Sequence, residues 1–126
     1  MIESRTLTSH FQSEFGNGKL VSIADLPSEK GGLGQGFGPH ELLEAALATC
    51  MTMTVHMHAA KHAMPLREAR CQVRIDRSNP AEAKLEYRLE IDGPLTVDQV
   101  DDLRGALAQC PVKRTLTHPI RIDELR

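Results

Sequence analysis

The 126-residue chain contains no tryptophan, one tyrosine and three phenylalanines, so it has few flat side chains on which nucleic-acid bases could stack. It has no strong excess of either charge: 15 Lys and Arg against 17 Asp and Glu give a formal net charge of −2, which leaves no basic footprint for a phosphate backbone. Nucleic acid is excluded as a main partner on both counts. No window approaches the ~18 uncharged apolar residues of a spanning helix, and Met1-Ile2-Glu3-Ser4-Arg5-Thr6 has no apolar leader core, so a soluble, cytosolic protein without membrane association is expected. Cysteine is scarce too. Three thiols in a leaderless chain do not make a structural disulfide framework, and any disulfide here should be a working one.

Neither a composition break nor a low-complexity linker interrupts the chain, and its length predicts one domain over residues 1–126. Ser4-Phe11 and Lys19-Ala24 read as short strands about Gly16-Asn17-Gly18, whose Asn-Gly pair signals a hairpin. Gly31-Gly32-Leu33-Gly34-Gln35-Gly36-Phe37-Gly38-Pro39 follows, a flexible lead-in that ends on a proline suited to a first helical turn. It has no Walker lysine and does not read as a nucleotide loop, so no cofactor is implied. From His40 to about Ala63 runs the longest helical segment, stopped by Pro65 and apolar on nearly every side between Leu42 and Met57.

Two strictly alternating strands come next. Ala69, Cys71, Val73 and Ile75 share one face, as do Leu85, Tyr87, Leu89 and Ile91, with a turn through Ser78-Asn79-Pro80 between them. Their charged outer faces, Arg70, Arg74, Glu86, Arg88 and Glu90, should form weak cross-strand ion pairs. Thr96-x-x-Gln99 fits a capping box that starts a second helix with the stripe Val97, Val100, Leu103 and Leu107, and Ile120-Arg121-Ile122 reads as a closing strand. The fold class is α+β, antiparallel sheet packed on helices. So short a chain has little material to cover a helix that is apolar all round, which predicts a homodimer.

Cys50 lies within that long helix among Ala46, Leu47, Met53 and Thr54, a dry setting in which a thiol is usually a small hydrophobe. Cys110 precedes Pro111, a favoured first helical residue, with Lys113 and Arg114 close by, and both features favour thiolate. Cys71, on the inward face of its strand, reads as structural. His56, His58 and His62 read as solvated residues near a helix end, since two ligands on one face do not make a metal site. Met51, Met53 and Met57 read as adaptable packing.

Pro39-His40-Glu41-Leu42-Leu43-Glu44-Ala45-Ala46-Leu47-Ala48-Thr49-Cys50, taken with Cys110-Pro111-Val112-Lys113-Arg114-Thr115-Leu116, resembles the paired signature of the OsmC/Ohr family, the osmotically inducible protein C and organic hydroperoxide resistance proteins. The resemblance implies an intertwined homodimer with antiparallel sheets wrapped around long central helices. It also implies a thiol peroxidase acting on organic hydroperoxides in oxidative-stress defence. Cys50 would be the peroxidatic thiol and Cys110 the resolving one, with a dithiol reductant, in the family often a lipoylated protein, resetting the pair. The family activates its peroxidatic sulfur with an arginine from the N-terminal strands and a glutamate near the start of the central helix. Arg5 is the one arginine before Pro39, with Lys19 as a further cation. Glu41 best matches the glutamate, nine residues before Cys50, while a spacing of ten would select His40. Nine helical residues span roughly 13–14 Å, so Glu41 could reach Cys50 only from a partner subunit or from a bent-back helix start. A non-catalytic, small-molecule-binding dimer with incidental thiols is the rival reading.

Overall fold

The computed structural model describes all residues from Met1 to Arg126. Its Cα packing divides the chain into two compact units, Met1–Leu43 and Glu44–Arg126.

The first unit is a three-stranded antiparallel meander of β1 (Glu3–Thr6), β2 (Ser13–Gly16) and β3 (Val21–Ala24), continued by the Gly-rich segment. The Asn17-Gly18 turn joins β2 to β3. Asn17 Oδ1 accepts from the Lys19 and Leu20 N–H groups at 2.9 and 2.8 Å, and Gly18 takes a φ of 90° that a side chain would resist. The sequence reading assigned this turn the wrong partner. Its first candidate, Ser4–Phe11, is cut after Thr6 by a turn through His10 (φ 45°), and a strand unforeseen in the sequence, Ser13–Gly16, fills the centre of the sheet.

What holds this unit together is polar. Its buried residues are Gln12, Asp25, Gly32 and Gly38, and none contributes a large apolar side chain. The Asp25 carboxylate is 2 % exposed and accepts the backbone N–H groups of Leu26 (2.7 Å), Leu33 (3.2 Å) and Gln35 (3.0 Å), together with Gln12 Nε2 (3.1 Å). Those bonds wrap the Gly-rich stretch around one carboxylate. A Cβ on Gly32 would lie 1.9 Å from the Leu26 carbonyl oxygen and 2.7 Å from Asp25 Oδ1, so only glycine fits there.

The second unit is built on α1 (Pro39–Lys61), most of whose length lies in it. It also contains the antiparallel pair β4 (Glu68–Asp76) and β5 (Lys84–Asp92), then α2 (Val97–Gly105), a 3-10 turn over Ala106–Gln109, and α3 (Pro111–Thr117). The β4–β5 register sets Ala69, Cys71, Val73 and Ile75 opposite Ile91, Leu89, Tyr87 and Leu85, as the alternation requires. On the outer face, Arg74 pairs with Glu86 at 2.6 Å and Arg70 approaches Glu90 at 3.9 Å. Leu47, Met51, Val55 and Ala59, four residues apart along α1, form its buried row and pack with Leu89, Leu103, Leu107 and Cys110. Polar ties fix the surrounding elements: Ile75 N–H to Glu44 Oε1 (2.9 Å), Arg104 to the Leu89 carbonyl (3.1 Å), and His58 Nε2 to Asp102 Oδ2 (3.0 Å).

The capping box at Thr96 and Gln99 is formed with both of its hydrogen bonds. Val97, placed in the stripe of that helix, is instead 77 % exposed: it occupies the first turn, and the buried stripe begins at Leu103 and continues through Ala106 and Leu107. The expected closing strand at Ile120–Ile122 is absent. Beyond α3 the residues are exposed and pair with no strand of the same chain.

Candidate functional site

The second unit brings the three thiols of the chain to one core. Cys110 is fully buried, and Cys50 and Cys71 pack against the same cluster. Cys50 is half-buried, because it lies on α1 between the buried Leu47–Ala59 row and the opposite face. The sequence reading of a dry Cys50 beside a more favoured Cys110 is thus reversed in exposure. The Cys50 side chain is a direct neighbour of the Cys110 sulfur. Burial pushes the Cys110 thiol up; the Lys113 backbone N–H opposes this, the Cys50 thiol reinforces it, and the Thr54 hydroxyl again opposes it.

Cys110 does occupy the N-cap position of α3, with Pro111 at the first helical position, but α3 has only seven residues and the Lys113 N–H faces the sulfur without completing a cap hydrogen bond. Burial therefore outweighs the helix end, and the expectation of a favoured thiolate at Cys110 is corrected. Of the two cations expected beside it, Lys113 and Arg114, the first is occupied elsewhere. The Lys113 ammonium stands over the Tyr87 ring, 5.8 Å from its centroid, and Lys113 meets the sulfur through its backbone. Cys71 Sγ donates to Met51 Sδ at 3.6 Å, and burial pushes its thiol up as well, in keeping with a packing role.

Arg5 and Glu41 lie in the first unit. Arg5 on β1 faces Glu14 on β2, with Nη2 and Nε at 2.7 and 2.9 Å from Glu14 Oε1. Glu41, in the first turn of α1, accepts the Gly38 N–H at 2.9 Å, which fixes its carboxylate at the helix start. Glu14 escaped the sequence reading because it lies in the strand that the reading missed. Glu14 and Glu41 both line an open pocket of about 880 Å³ with Val21, Ile23, Pro27 and Phe37 and the Gly34-Gln35-Gly36 backbone. The structure thus assembles Cys50 with Cys110 in one unit, and places Arg5 and Glu41 in the other.

Of the histidines, His58 and His62 share a face of α1 with ring centroids 4.4 Å apart, and Asp102 supplies a carboxylate from a neighbouring helix that no spacing along α1 could reveal. No three His, Cys, Asp or Glu side chains are grouped so as to hold a metal ion. No helix is long and apolar enough to cross a membrane.

An α+β protein with two neighbouring thiols, one in mid-helix and one at a Pro-initiated turn, is what fold and site define. The family model described as "OsmC-like protein" matches residues 32–124, and the chain belongs to that family. Among solved structures, the OsmC-like protein of Mycoplasma pneumoniae superposes with a TM-score of 0.78 at 19% identity, over 92% of this chain and 85% of that one. The organic hydroperoxide resistance protein OsmC of Legionella pneumophila gives 0.66 at 21% identity, over 93% and 88%. The organic hydroperoxide resistance protein OhrB of Bacillus subtilis gives 0.64 at 17% identity, over 93% and 89%. These likenesses show the α+β fold. No curated protein matches the chain.

Proposed function

We propose that the protein is a thiol-dependent peroxidase that reduces organic hydroperoxides through Cys50 and Cys110. The observation that carries this reading is the neighbouring pair itself: a half-exposed thiol on α1 beside a fully buried one. Cys50, as thiolate, attacks the terminal peroxide oxygen. The O–O bond breaks, the alkoxide leaves as alcohol with a proton, and the sulfur becomes sulfenic acid. The Cys110 thiol then condenses with that sulfenic acid to a disulfide and one water, and a dithiol reductant, such as a lipoylated protein, returns both sulfurs to thiols. A resolving thiol kept protonated by burial suits this order of events, because it does not compete for the peroxide.

Arg5 and Glu41 are the proposed activating pair. The guanidinium would stabilise the thiolate and the departing oxygen, and the carboxylate would orient the guanidinium. In this reading they act on the Cys50 of a second copy. Support for a homodimer comes from the uncovered face of α1: Ala46, Cys50, Met53, Met57 and Ala60 recur at alternating three- and four-residue steps, and Met53 and Met57 are 62 % and 71 % exposed. The test is consumption of cumene hydroperoxide in the presence of dihydrolipoamide, with free thiols counted before and after oxidant. Turnover by Cys50→Ser equal to that of the wild type would sink the reading.

A non-catalytic binding protein is the second reading. It is favoured by one observation, the engagement of Arg5 by Glu14, and thiols that stay reduced under peroxide would support it.

A further inference from the structure

The peroxidase reading makes no use of the most heavily hydrogen-bonded side chain in the molecule. Asp25 follows β3 directly and is almost wholly buried, yet it bonds to no cation. Its partners are the Leu26, Leu33 and Gln35 N–H groups, the last two in the Gly-rich lead-in and Gln35 lining the pocket, and the amide of Gln12, which precedes β2 and also reaches Gln35 Oε1 at 3.0 Å. Its backbone acts on the same segment, since the Asp25 N–H donates to the Phe37 carbonyl at 3.1 Å beside the Ala24–Phe37 bridge. Gly34, Gln35, Gly36 and Phe37, the residues so held, form one wall of the 880 Å³ pocket, and Val21 and Ile23 face it from β3. Gly36 is pressed against that strand closely enough that a Cβ would lie 2.3 Å from the Ile23 carbonyl oxygen. A glycine-rich segment has the largest backbone entropy to lose, and the Asp25 carboxylate adds the bonds to Leu33 and Gln35 to the backbone ties at Gly34 and Phe37.

We infer that Asp25 is a positioning residue for substrate recognition: it helps fix the Leu33–Phe37 wall against β3, so that the apolar side chains of the pocket, Val21, Ile23, Pro27 and Phe37, hold the organic part of an alkyl or aryl hydroperoxide. The inference rests on the peroxidase reading for the identity of the ligand, while Asp25 itself touches neither peroxide nor thiol. Because Asp25 acts on the pocket and not on the sulfur, its replacement should alter which peroxide is used more than how fast bonds break.

The decisive measurement is binding of 2-phenyl-2-propanol, the alcohol product of cumene hydroperoxide, followed by amide chemical shifts at Gly34, Gln35 and Gly36 in the full chain. Binding needs no turnover, so it separates this inference from the activity. Wild type should bind with shifts at these amides, and Asp25→Asn, which puts a donor where three N–H groups need acceptors, should weaken binding about tenfold. Unchanged affinity in Asp25→Asn, or no shifts at these amides in the wild type, overturns the inference. If Asp25→Asn does not fold, Gln12→Met removes one donor from the cluster and should weaken binding about threefold, and an unchanged affinity there is equally fatal. In turnover, Asp25→Asn should raise KM for cumene hydroperoxide and leave kcat/KM for hydrogen peroxide within about twofold, a split that a general loss of stability would not produce. Product binding at the wall without hydroperoxide consumption by the wild type would defeat the peroxidase reading and leave the role of Asp25 standing.

Discussion

The two units hold themselves together by opposite means. In Glu44–Arg126, nine apolar residues are buried around α1, and polar groups act as ties at the margin. In Met1–Leu43 the buried side chains are a carboxylate and an amide, while Phe11, Leu20, Val21, Ile23, Leu33 and Phe37 stay exposed. An apolar core is non-directional and tolerates small changes, whereas a hydrogen-bonded cluster sets one geometry and fails if a single partner is lost. The thiols sit in the first kind of environment and the proposed recognition surface in the second.

The thiols of the apolar unit should show the largest effect of a single substitution. Cys50→Ser should lower hydroperoxide turnover on the order of a thousandfold or more and abolish the Cys50–Cys110 disulfide, while Cys71, also half-exposed and near Cys110 but engaged with Met51 Sδ, should not replace it. Measured peroxide consumption within tenfold of the wild type would place the chemistry elsewhere.

The apolar unit can be tested by stability. Leu103 is fully buried between the helices and the sheet, and Leu103→Ala should destabilise the protein by about 2–5 kcal/mol in denaturant titration. A loss below about 1 kcal/mol would mean that the core around α1 is not close-packed. Met57→Glu probes the uncovered face of the same helix. Since Met57 is largely exposed in the single chain, the change should leave the subunit folded and convert the proposed dimer to a monomer in light scattering. A dimer that survives it would remove the α1 stripe from the interface.

How much of this was legible beforehand differs between the units for a physical reason. The β4–β5 pair, α1 and the capping box at Thr96 are local patterns, period two, period 3.6 and a four-residue motif, and each came through in the sequence. The Cys50 and Cys110 motifs were legible as a resemblance, but their relative burial was not, because burial depends on which side of α1 the sheet covers. β2 was missed because Ser13-Glu14-Phe15-Gly16 shows one apolar residue in four, and Glu14 was lost with it. The Asp25 cluster joins residues 13 apart to Gln12 and 10 apart to Gln35, with no periodicity to announce it. The closing strand at Ile120–Ile122 had the right alternation but finds no partner strand within the chain, and alternation alone cannot supply one.

The smallest effect expected is also the one that tells the two units apart by pH. The Gln35 backbone N–H, more than any other contact, holds the Asp25 carboxyl below its ordinary value, with Gln12, Leu26 and Leu33 adding to it and burial opposing. A carboxyl whose folded pKa lies below its unfolded one contributes stability above the unfolded value, about 3.9, and loses that contribution as pH falls through the folded value. Amide protection at Leu33 and Gln35, taken relative to the intrinsic exchange rate, should therefore fall below about pH 4 while amides in the Leu47–Ala59 row of α1 stay protected, since that row contains no ionisable group buried in the same way. In Asp25→Asn the N-terminal amides should exchange quickly at every pH, which flattens the acid response. If both units open together, in step, on acidification, Asp25 is not what distinguishes them, and the polar cluster would have to be regarded as part of one cooperative whole with the core around α1.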